Sequence, residues 1–600
     1  MIRFIQYKKV LGIALAALTF VACTDKWDEH YDDSPLAGAN EGTLWQAITQ
    51  HGDLNNFARV AQACGYDKSL MSSQVFTVFA PTDASFSSAQ ADSVIALYQS
   101  EINSGVRLAE NRAIKEFLQN HIARYTYSVS PTTEDSIVMM NGKYEVLTPS
   151  EFSGTPVLTS NKLYENGVLF TIGKPVKFYN NVFEYLFPGT DKDLDSVSAL
   201  LYDSLYYRYY LDEEKSVAGD LVDGKTTYLD SVMTKYNELF YTLGNLNSED
   251  STYWMLAPTN SEWSRLINEY KPFFNYHDKV NLRDSLMRVH PRMAIMRGTV
   301  FSMTVNPAVA RHLEDASVKV DSVRSTNGLT YSRRKAYWGS DTLHYYEYMK
   351  PFANGGAFDG VQFVKCSNGY VLKTNHWNIS PRETFMRDIV VEAENANYTI
   401  DEETTKKNTV VVRVQQGNPF YGKVSNDSYL EVLSRNNLNP IINFEVPEVL
   451  SGVPYDIYLI TVPAEAGDTL ADEEQCRPIR FQMYYFWKEQ DGTGVDLTKM
   501  KSTETPDAKY SLGSYDGYIK DGATAADSAK AHGRAHVVDT ILVGEKVVFP
   551  TCSYGLDQAQ VQIRVKNNMP LLPAQRKRYT NTLRIDCIVL KPRLDALKEQ

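Results

Sequence analysis

Cysteine is scarce in this chain, with six residues in 600 and no Cys-x-x-Cys pair. Such a sequence cannot form a dense disulfide framework, so its stability must come from packed cores. Apart from Cys23, we expect the cysteines to be isolated buried thiols, and one disulfide among the last three is the alternative. These residues are Cys64, Cys366, Cys476, Cys552 and Cys587.

Clustered positive charge is also missing. The net charge is −12, and the sequence has no long run of Lys and Arg. Because proteins bind nucleic acids largely by neutralising phosphates, no nucleic-acid partner is predicted. The hydrophobic fraction of 43% and the charged fraction of 22% are ordinary for folded proteins. At about 100–200 residues per domain, the length predicts roughly three to five folded units.

The sequence contains no Gly-x-Ser-x-Gly, His-Glu-x-x-His, Walker or Gly-x-Gly-x-x-Gly motif. Three weaker patterns remain. His532 and His536 have a spacing that binds zinc on a helix, but here a surface loop is the simpler interpretation. The segment Asp491–Asp496 is acidic but lacks the ligand series of a calcium loop. Glu392 and Glu394 share a strand face, where a catalytic carboxylate pair or a solvated strand edge is possible. We predict no catalytic residue, metal or cofactor.

Aromatic residues are abundant, with 39 Tyr and 7 Trp. Tyrosine suits recognition surfaces, because its ring gives contact area and its hydroxyl a polar tip, but it also fills strand faces. Sugar rings stack on exposed aromatic faces, so several residues are candidate ligand contacts, with core packing as the alternative. They are Trp338, Trp377, Tyr484, Trp487, Tyr515 and Tyr518.

The N-terminus reads as a targeting segment. Arg3, Lys8 and Lys9 precede an apolar run, Val10 to Ala22, that is short for a membrane span. The following Phe20-Val-Ala-Cys23 resembles a bacterial lipobox, which implies a signal peptide over 1–22 and lipid attachment at Cys23. The alternative is an ordinary secretory peptide with a chance cysteine.

The acidic tether 23–39 resembles the surface-export signal of some Gram-negative lipoproteins. The resemblance implies a lipid-anchored protein of the outer membrane that faces the cell exterior.

A strand-and-stop motif occurs twice. The first copy runs Phe76-Thr-Val-Phe-Ala-Pro-Thr-Asp-Ala-Ser-Phe86, and the second runs Trp254-Met-Leu-Ala-Pro-Thr-Asn-Ser-Glu-Trp263. In the first copy we predict a buried strand that stops at Pro81, side-chain oxygens of Thr82 and Asp83 that cap a following helix turn, and Phe86 in the core.

The repeated motif resembles the first signature of the fasciclin domain, a small α+β adhesion and interaction module. Over 40–188 the resemblance extends to a helix from Ala113 to Tyr125 and to a closing strand after Asn-Gly. In the family a histidine at the position of His121 packs and hydrogen-bonds to brace the fold, rather than serving as a catalytic base. The signature residues are Phe79, Ala80, Pro81, Thr82, Asp83, Phe86, Asn120, His121, Asn166 and Gly167.

Residues 192–385 resemble a second, divergent fasciclin domain. Its motif residues are Ala257, Pro258, Thr259 and Asn260, and Asn368-Gly369 repeats the closing strand. We expect inward-packing helical stretches at Val197–Leu211 and Tyr228–Leu243. His290 precedes Pro291, so the counterpart of the Asn-His pair is expected within Met293–Arg297.

From 386 to 600 the pattern changes to about ten short apolar or alternating runs, which predict an all-β sandwich or jelly roll. Two of the predicted strands are Ala535–Val543 and Lys546–Phe549. The region loosely resembles galactose-binding-like sandwiches, and we expect a mobile loop from Gln490 to Ala535. The predicted fold class is therefore α+β, with tandem fasciclin-like domains followed by a β-sandwich.

The favoured function is non-enzymatic binding at the cell surface. One form is an adhesin. The other is an accessory subunit that works with a TonB-dependent outer-membrane transporter and a companion lipoprotein to capture glycans or peptides. In either form the ligand is a glycan, a peptide or an extracellular protein. Two alternatives remain open, a surface glycan-active enzyme and a purely structural spacer.

Overall fold

The computed structural model describes residues 39–213, 215–222, 225–303, 313, 319–326, 347–400, 408–434, 439–495, 497, 500, 504 and 506–597. The expected signal peptide 1–22, Cys23, the tether as far as residue 38, Trp338 and Asp496 lie outside the described residues. The chain forms two compact units. The first ends at Asn181 and includes Asn247–Asp250 and Lys365–Asn368, and the second comprises Val182–Leu246, Ser251–Val364 and Gly369–Gln600.

A seven-stranded sheet organises the first unit, in the order β2-β1-β7-β6-β5-β4-β3. Its two central strands, β1 and β7, pair in parallel, and every residue of both is buried. The strands are β1 (Phe76–Pro81), β2 (Ile122–Arg124), β3 (Asp135–Val138), β4 (Tyr144–Leu147), β5 (Glu151–Phe152), β6 (Thr155–Tyr164) and β7 (Gly167–Ile172). The helices are Leu44–Gln50, Asn55–Ala63, Tyr66–Met71, Ser88–Asn103, Ala113–Leu118 and Gln119–His121.

Two hydrophobic clusters cover the faces of this sheet. Because side chains alternate along a strand, Phe76 and Val78 enter one cluster, with the helices, while Phe79 enters the other. Phe79 stacks on Phe152 with ring centroids 3.8 Å apart. Phe86 returns to the helical cluster, as predicted.

The junction before β7 explains the Asn-Gly pair. Gly167 has φ +146°, and a Cβ there would lie 1.9 Å from the backbone oxygen of Phe76, so only glycine fits. The Asn166 amide donates to Leu70 O (2.9 Å) and Ser72 O (2.7 Å) and accepts from Leu44 N (2.7 Å). The same side chain therefore holds two helices against the start of the strand.

The helix predicted from Ala113 to Tyr125 ends early. It ends at His121, because Ile122–Arg124 pairs with β1 as an antiparallel strand. The chain then forms a hairpin between β3 and β4 at Asn141-Gly142, a dipeptide that is a strong signal for a two-residue turn.

The second unit repeats this core pairing. Strand β12 (Tyr253–Pro258) is buried throughout, pairs in parallel with β17 (Gly369–Thr374) and is antiparallel to β13 (Val300–Ser302). A Cβ on Gly369 would lie 1.8 Å from the backbone oxygen of Tyr253, as at Gly167. The second copy of the strand-and-stop motif thus lies in the same strand pairing as the first. Other elements here are helices Asn260–Tyr270 and Arg283–Met296, β14 (Ser322–Arg324), β15 (Glu347–Met349) and β16 (Gln362–Cys366).

The helical stretches expected at Val197–Leu211 and Tyr228–Leu243 are largely wrong. Tyrosine and β-branched residues form strands here, in two antiparallel hairpins, and Leu205 (46%) and Tyr209 (61%) are exposed. The observed elements are helix Asp195–Leu201, β8 (Tyr207–Leu211), β9 (Val217–Val222), β10 (Lys225–Asp230), β11 (Met233–Asn237) and helix Leu239–Leu243.

The C-terminal region is rich in β-sheet, as predicted. One sheet has the order β19-β20-β27-β22-β25 with β18 also on β27, and a second has the order β21-β26-β23-β24. The strands are β18 (Ile389–Glu392), β19 (Asn408–Arg413), β20 (Ser428–Leu433), β21 (Ile441–Val446), β22 (Pro454–Thr461), β23 (Arg480–Trp487), β24 (Ser511–Asp516), β25 (Asp539–Val548), β26 (Val561–Asn567) and β27 (Leu583–Pro592).

Two details of this region differ from the expectation. The two strands expected at Ala535–Val543 and Lys546–Phe549 are the single strand β25, whose pairing with β22 is irregular near Gly544. The segment expected to be one long loop, Gln490–Ala535, contains strand β24 and the short helix Ala525–Ser528.

Cys476, Cys552 and Cys587 are free thiols, so the alternative disulfide does not form. Among the described helices, none is both long and apolar enough to cross a membrane.

Candidate functional site

The acidic residue of the first motif caps a distant helix. Asp83 accepts hydrogen bonds from the backbone N–H groups of Asn55 (3.1 Å) and Asn56 (2.8 Å). The helix that starts there is preceded by Leu54, whose side chain cannot cap it. The prediction that Asp83 caps the following helix is therefore wrong. That helix is capped by Ser87 with Gln90.

In the second motif a side-chain amide, that of Asn260, caps a distant helix in the same way. Asn260 accepts from Ser196 N (2.8 Å) and donates to Lys192 O (2.7 Å). The helix Asp195–Leu201 also follows a leucine that cannot cap it, Leu194. Thr82 and Thr259, next to these caps, each donate their backbone N–H to the last residue of the parallel strand (3.2 and 2.8 Å).

His121 is fully buried, and both of its ring nitrogens are engaged. Nδ1 lies 2.7 Å from the carbonyl oxygen of Phe117, and Nε2 accepts from Val176 N at 2.9 Å. Burial lowers the pKa of His121 to about 4, so the ring is neutral near pH 7. Asn120 accepts from the Asn141 amide (2.9 Å). This geometry is that of a structural brace.

The strand register identifies the counterpart of this pair in the second unit. Val78 pairs with Ile122 in the first sheet, and Met255 pairs with Val300 in the second. Thr299 therefore occupies the position of His121, rather than a residue within Met293–Arg297 as expected. Its buried hydroxyl donates to Met296 O at 2.6 Å, which again holds the carbonyl end of the preceding helix.

The two histidines considered for zinc do not act together. The His532 ring lies against Tyr515, and Nδ1 of His536 is hydrogen-bonded to Glu465 Oε1. In the acidic segment, Asp491 accepts from the backbone N–H (2.8 Å) and hydroxyl (2.6 Å) of Thr493, which makes an ordinary turn.

The carboxylates of Glu392 and Glu394 do not lie on a solvated strand edge. Glu392 accepts from the Ser425 hydroxyl (2.7 Å), Glu394 from the Ser428 hydroxyl (2.9 Å), and Asp586 from Ser425 N (3.1 Å). Asp586 is only 3% exposed, and burial, together with these two neighbours, raises its pKa to about 7. The ligand atoms of Glu392 and Asp586 lie within 4.8 Å of each other and of the buried Cys587 sulfur. The sequence signal for Asp586 was one acid inside an apolar strand, Leu583–Pro592.

The second unit contains a cleft of about 1050 Å³. Its walls combine apolar groups with charged and hydroxyl-bearing ones, and Arg265 on its rim pairs with Glu262 and Glu269 at 2.7 Å each. The lining residues are Arg265, Leu266, Glu269, Tyr270, Pro272, Phe273, Trp377, Asn378, Ile379, Ser380, Pro381, Met386, Ser451, Gly452, Leu594 and Asp595.

Among the aromatic candidates within the described residues, Trp377 is the one that lines this cleft. Tyr484 is buried, and Trp487 stacks on Tyr485 with centroids 5.0 Å apart. Tyr515 stacks on Phe481 and donates to Leu512 O. Tyr518 is half-buried beneath the guanidinium of Arg578, 4.9 Å from the ring centroid.

We predict that Asp83→Ala lowers the free energy of unfolding by about 1–2 kcal/mol, because the helix starting at Asn55 loses its cap. Asp83→Asn is the matched variant and should keep most of that stability, since the amide oxygen accepts as Asn260 does in the second unit. Urea denaturation measures both. Equal losses in the two variants would contradict the capping role.

His121 should make stability depend on pH. Its folded pKa is lowered from 6.5 to about 4, so its contribution is present above pH 6.5 and is lost as the pH falls toward 4. Between pH 7 and pH 4, the wild-type protein should lose about 3 kcal/mol more than His121→Gln, which cannot titrate there. Denaturant titrations at both pH values test this, and parallel losses in the two proteins would refute it.

Comparison with known proteins identifies the first unit. Residues 52–177 match the family model of the fasciclin domain. One similar solved structure is a FAS1 domain pair from the insect cell adhesion molecule fasciclin I, with 11% identity, 56% of this chain and 99% of that chain covered, and a TM-score of 0.19. Another is a Paenibacillus xanthan lyase, with 14% identity, 37% of this chain and 14% of that chain covered, and a TM-score of 0.19.

No curated protein matches the chain at a significant level. The family match covers all of the signature residues from Phe79 to Gly167, including the His121 brace. The first unit therefore carries a fasciclin domain, an adhesion-like binding module.

Proposed function

We propose that this protein is a cell-surface binding protein, held at the outer membrane by lipid on Cys23 and without catalytic activity. The fasciclin domain at 52–177 is the observation that carries the proposal, because this module is adhesion-like. The lipobox-like Phe20-Val-Ala-Cys23 supplies the anchor, and the acidic tether directs the protein to the cell exterior.

The cleft of the second unit supports a capture role. Trp377, Phe273 and Met386 give it apolar surface, while Asn378 and Ser380 place polar groups beside them. Ligand sites combine apolar walls with a few polar groups in this way. A glycan or peptide segment has matching chemistry, since it carries both apolar faces and hydrogen-bonding groups.

The protein acts either as a free-standing adhesin or as an accessory subunit of a TonB-dependent uptake complex. Affinity purification of the tagged full-length protein from its own membranes in mild detergent separates the two forms. Stoichiometric recovery of a transporter barrel with a second lipoprotein supports the uptake complex. Recovery of the protein alone supports the adhesin.

Cys23→Ala should move the protein from the membrane fraction to the aqueous fraction, because the lipid is its proposed anchor. Cys476→Ala is the control and should stay with the membrane, since this half-exposed cysteine lies far from the N-terminus. Cell fractionation and metabolic labelling with a fatty acid provide the measurement. Unchanged membrane retention of Cys23→Ala would defeat the anchor proposal.

An array of glycans, peptides and extracellular proteins should yield a ligand for the full-length protein, recovered uncleaved. Trp377→Ala should weaken its binding about tenfold, because one ring contact is removed. Tyr421→Ala, an exposed aromatic outside the cleft lining, is the control and should bind normally. Cleavage of the ligand would favour the enzyme alternative, and an array without binding would contradict the capture role.

A further inference from the structure

Two loops at one end of the sandwich, the connection from β22 to β23 and the loop before β25, bring a carboxylate, a thiol and an imidazole together. Glu465 follows β22, Cys476 precedes β23, and His536 precedes β25. Their ligand atoms, a carboxylate oxygen, Sγ and a ring nitrogen, all lie within 4.8 Å of one another. Nothing in the sequence links these residues, because the spacing that drew attention to His536 paired it with His532.

The donor set is specific. Thiolate, imidazole and carboxylate are the three protein ligands of zinc, and a hard cation such as Ca²⁺ or Mg²⁺ does not select a sulfur donor. Three protein ligands also leave the fourth tetrahedral position open for water or an incoming group.

Glu465 has unused capacity at this point. Its Oε1 is hydrogen-bonded to Nδ1 of His536, while its Oε2 is buried and accepts from no group among the described residues. A buried carboxylate oxygen without a partner is costly, and a metal ion would satisfy it.

The backbone conformation of His536 also holds its imidazole in a defined position. It has φ +62°, in the left-handed region that a residue with a Cβ adopts only at an energetic cost. In this conformation the imidazole of His536 reaches Glu465, although the residue is exposed.

The surrounding charges favour a cation. The loop between Glu465 and Cys476 carries exposed acids, among them Asp468, Asp472 and Glu474. The nearby guanidinium of Arg584 is already paired with Glu431 Oε1 at 2.7 Å and donates to Gln475 O at 3.2 Å. The carboxylate of Glu431 therefore balances its positive charge.

A nucleophilic triad is a weaker interpretation of the same residues. In such a triad the thiol faces the imidazole, and the carboxylate holds the other side of the ring. Here the Cys476 thiol donates to Ala471 O at 3.6 Å rather than to the imidazole of His536.

We propose that Glu465, Cys476 and His536 form a zinc site on the sandwich. On binding, the Cys476 thiol loses its proton to solvent and the thiolate sulfur bonds to Zn²⁺, with His536 and Glu465 completing the protein ligands. The ion links the loop that joins β22 to β23 with the loop that precedes β25. This site is independent of the lipid anchor and of the cleft.

The test uses the reduced full-length protein, with Zn²⁺ and Co²⁺ as probes. Co²⁺ should give the ligand-field absorption of a tetrahedral site and a thiolate charge-transfer band, both removed by one equivalent of Zn²⁺. Cys476→Ser, His536→Gln and Glu465→Gln should each weaken Zn²⁺ binding on the order of 100-fold. His532→Gln is the matched control, four residues from His536, and should bind as the wild type does.

A second measurement avoids substitutions. Zn²⁺ should protect Cys476, but not the other cysteines, from alkylation, as read by mass spectrometry of its peptide. Three results would each overturn the proposal: Co²⁺ spectra without the charge-transfer band, unchanged affinity in Cys476→Ser, or alkylation of Cys476 that Zn²⁺ does not slow.

Discussion

The parallel pairing of two fully buried strands is the constraint on which the fasciclin core depends. In the first unit β1 and β7 approach so closely at their start that Gly167 has no room for a Cβ beside Phe76. Because both strands are buried on both faces, every backbone group must be satisfied within the protein. The Asn166 side chain meets the same demand at the adjacent helix ends, where it bonds to the backbone of Leu44, Leu70 and Ser72. The second unit repeats the close approach at Gly369.

The two units share a strand pairing but differ in the side chains that support it. Asp83 is replaced by Asn260, and the cap survives because an amide oxygen also accepts hydrogen bonds. His121 is replaced by Thr299, which still holds the preceding helix through Met296. His121 also accepts a hydrogen bond from Val176 N at its second ring nitrogen. Thr299, with a single hydroxyl, has no equivalent of this contact.

The sequence predicted best where a feature is set by neighbouring residues. The strand of Phe76–Pro81, the Asn141-Gly142 hairpin and most strands after residue 386 follow from local pattern and turn chemistry. It failed where tertiary contacts decide. Tyr209 lies in an exposed hairpin although its spacing fits a helix, and Asp83 serves a helix that precedes it. The groupings of Asp586 with Glu392 and of Cys476 with His536 depend on strand order, which no local pattern reveals.

The remote caps bear on the order in which the chain folds. The backbone N–H of Asn55 is capped by Asp83, which lies 28 positions later in the chain. That of Ser196 is capped by Asn260, 64 positions later. During synthesis each of these short helices leaves the ribosome before its cap exists, and a helix of this length is marginal by itself. Each helix is therefore stabilised only after the central strand next to its capping residue has been synthesised. Within each unit, folding should thus be late and concerted rather than helix by helix along the chain.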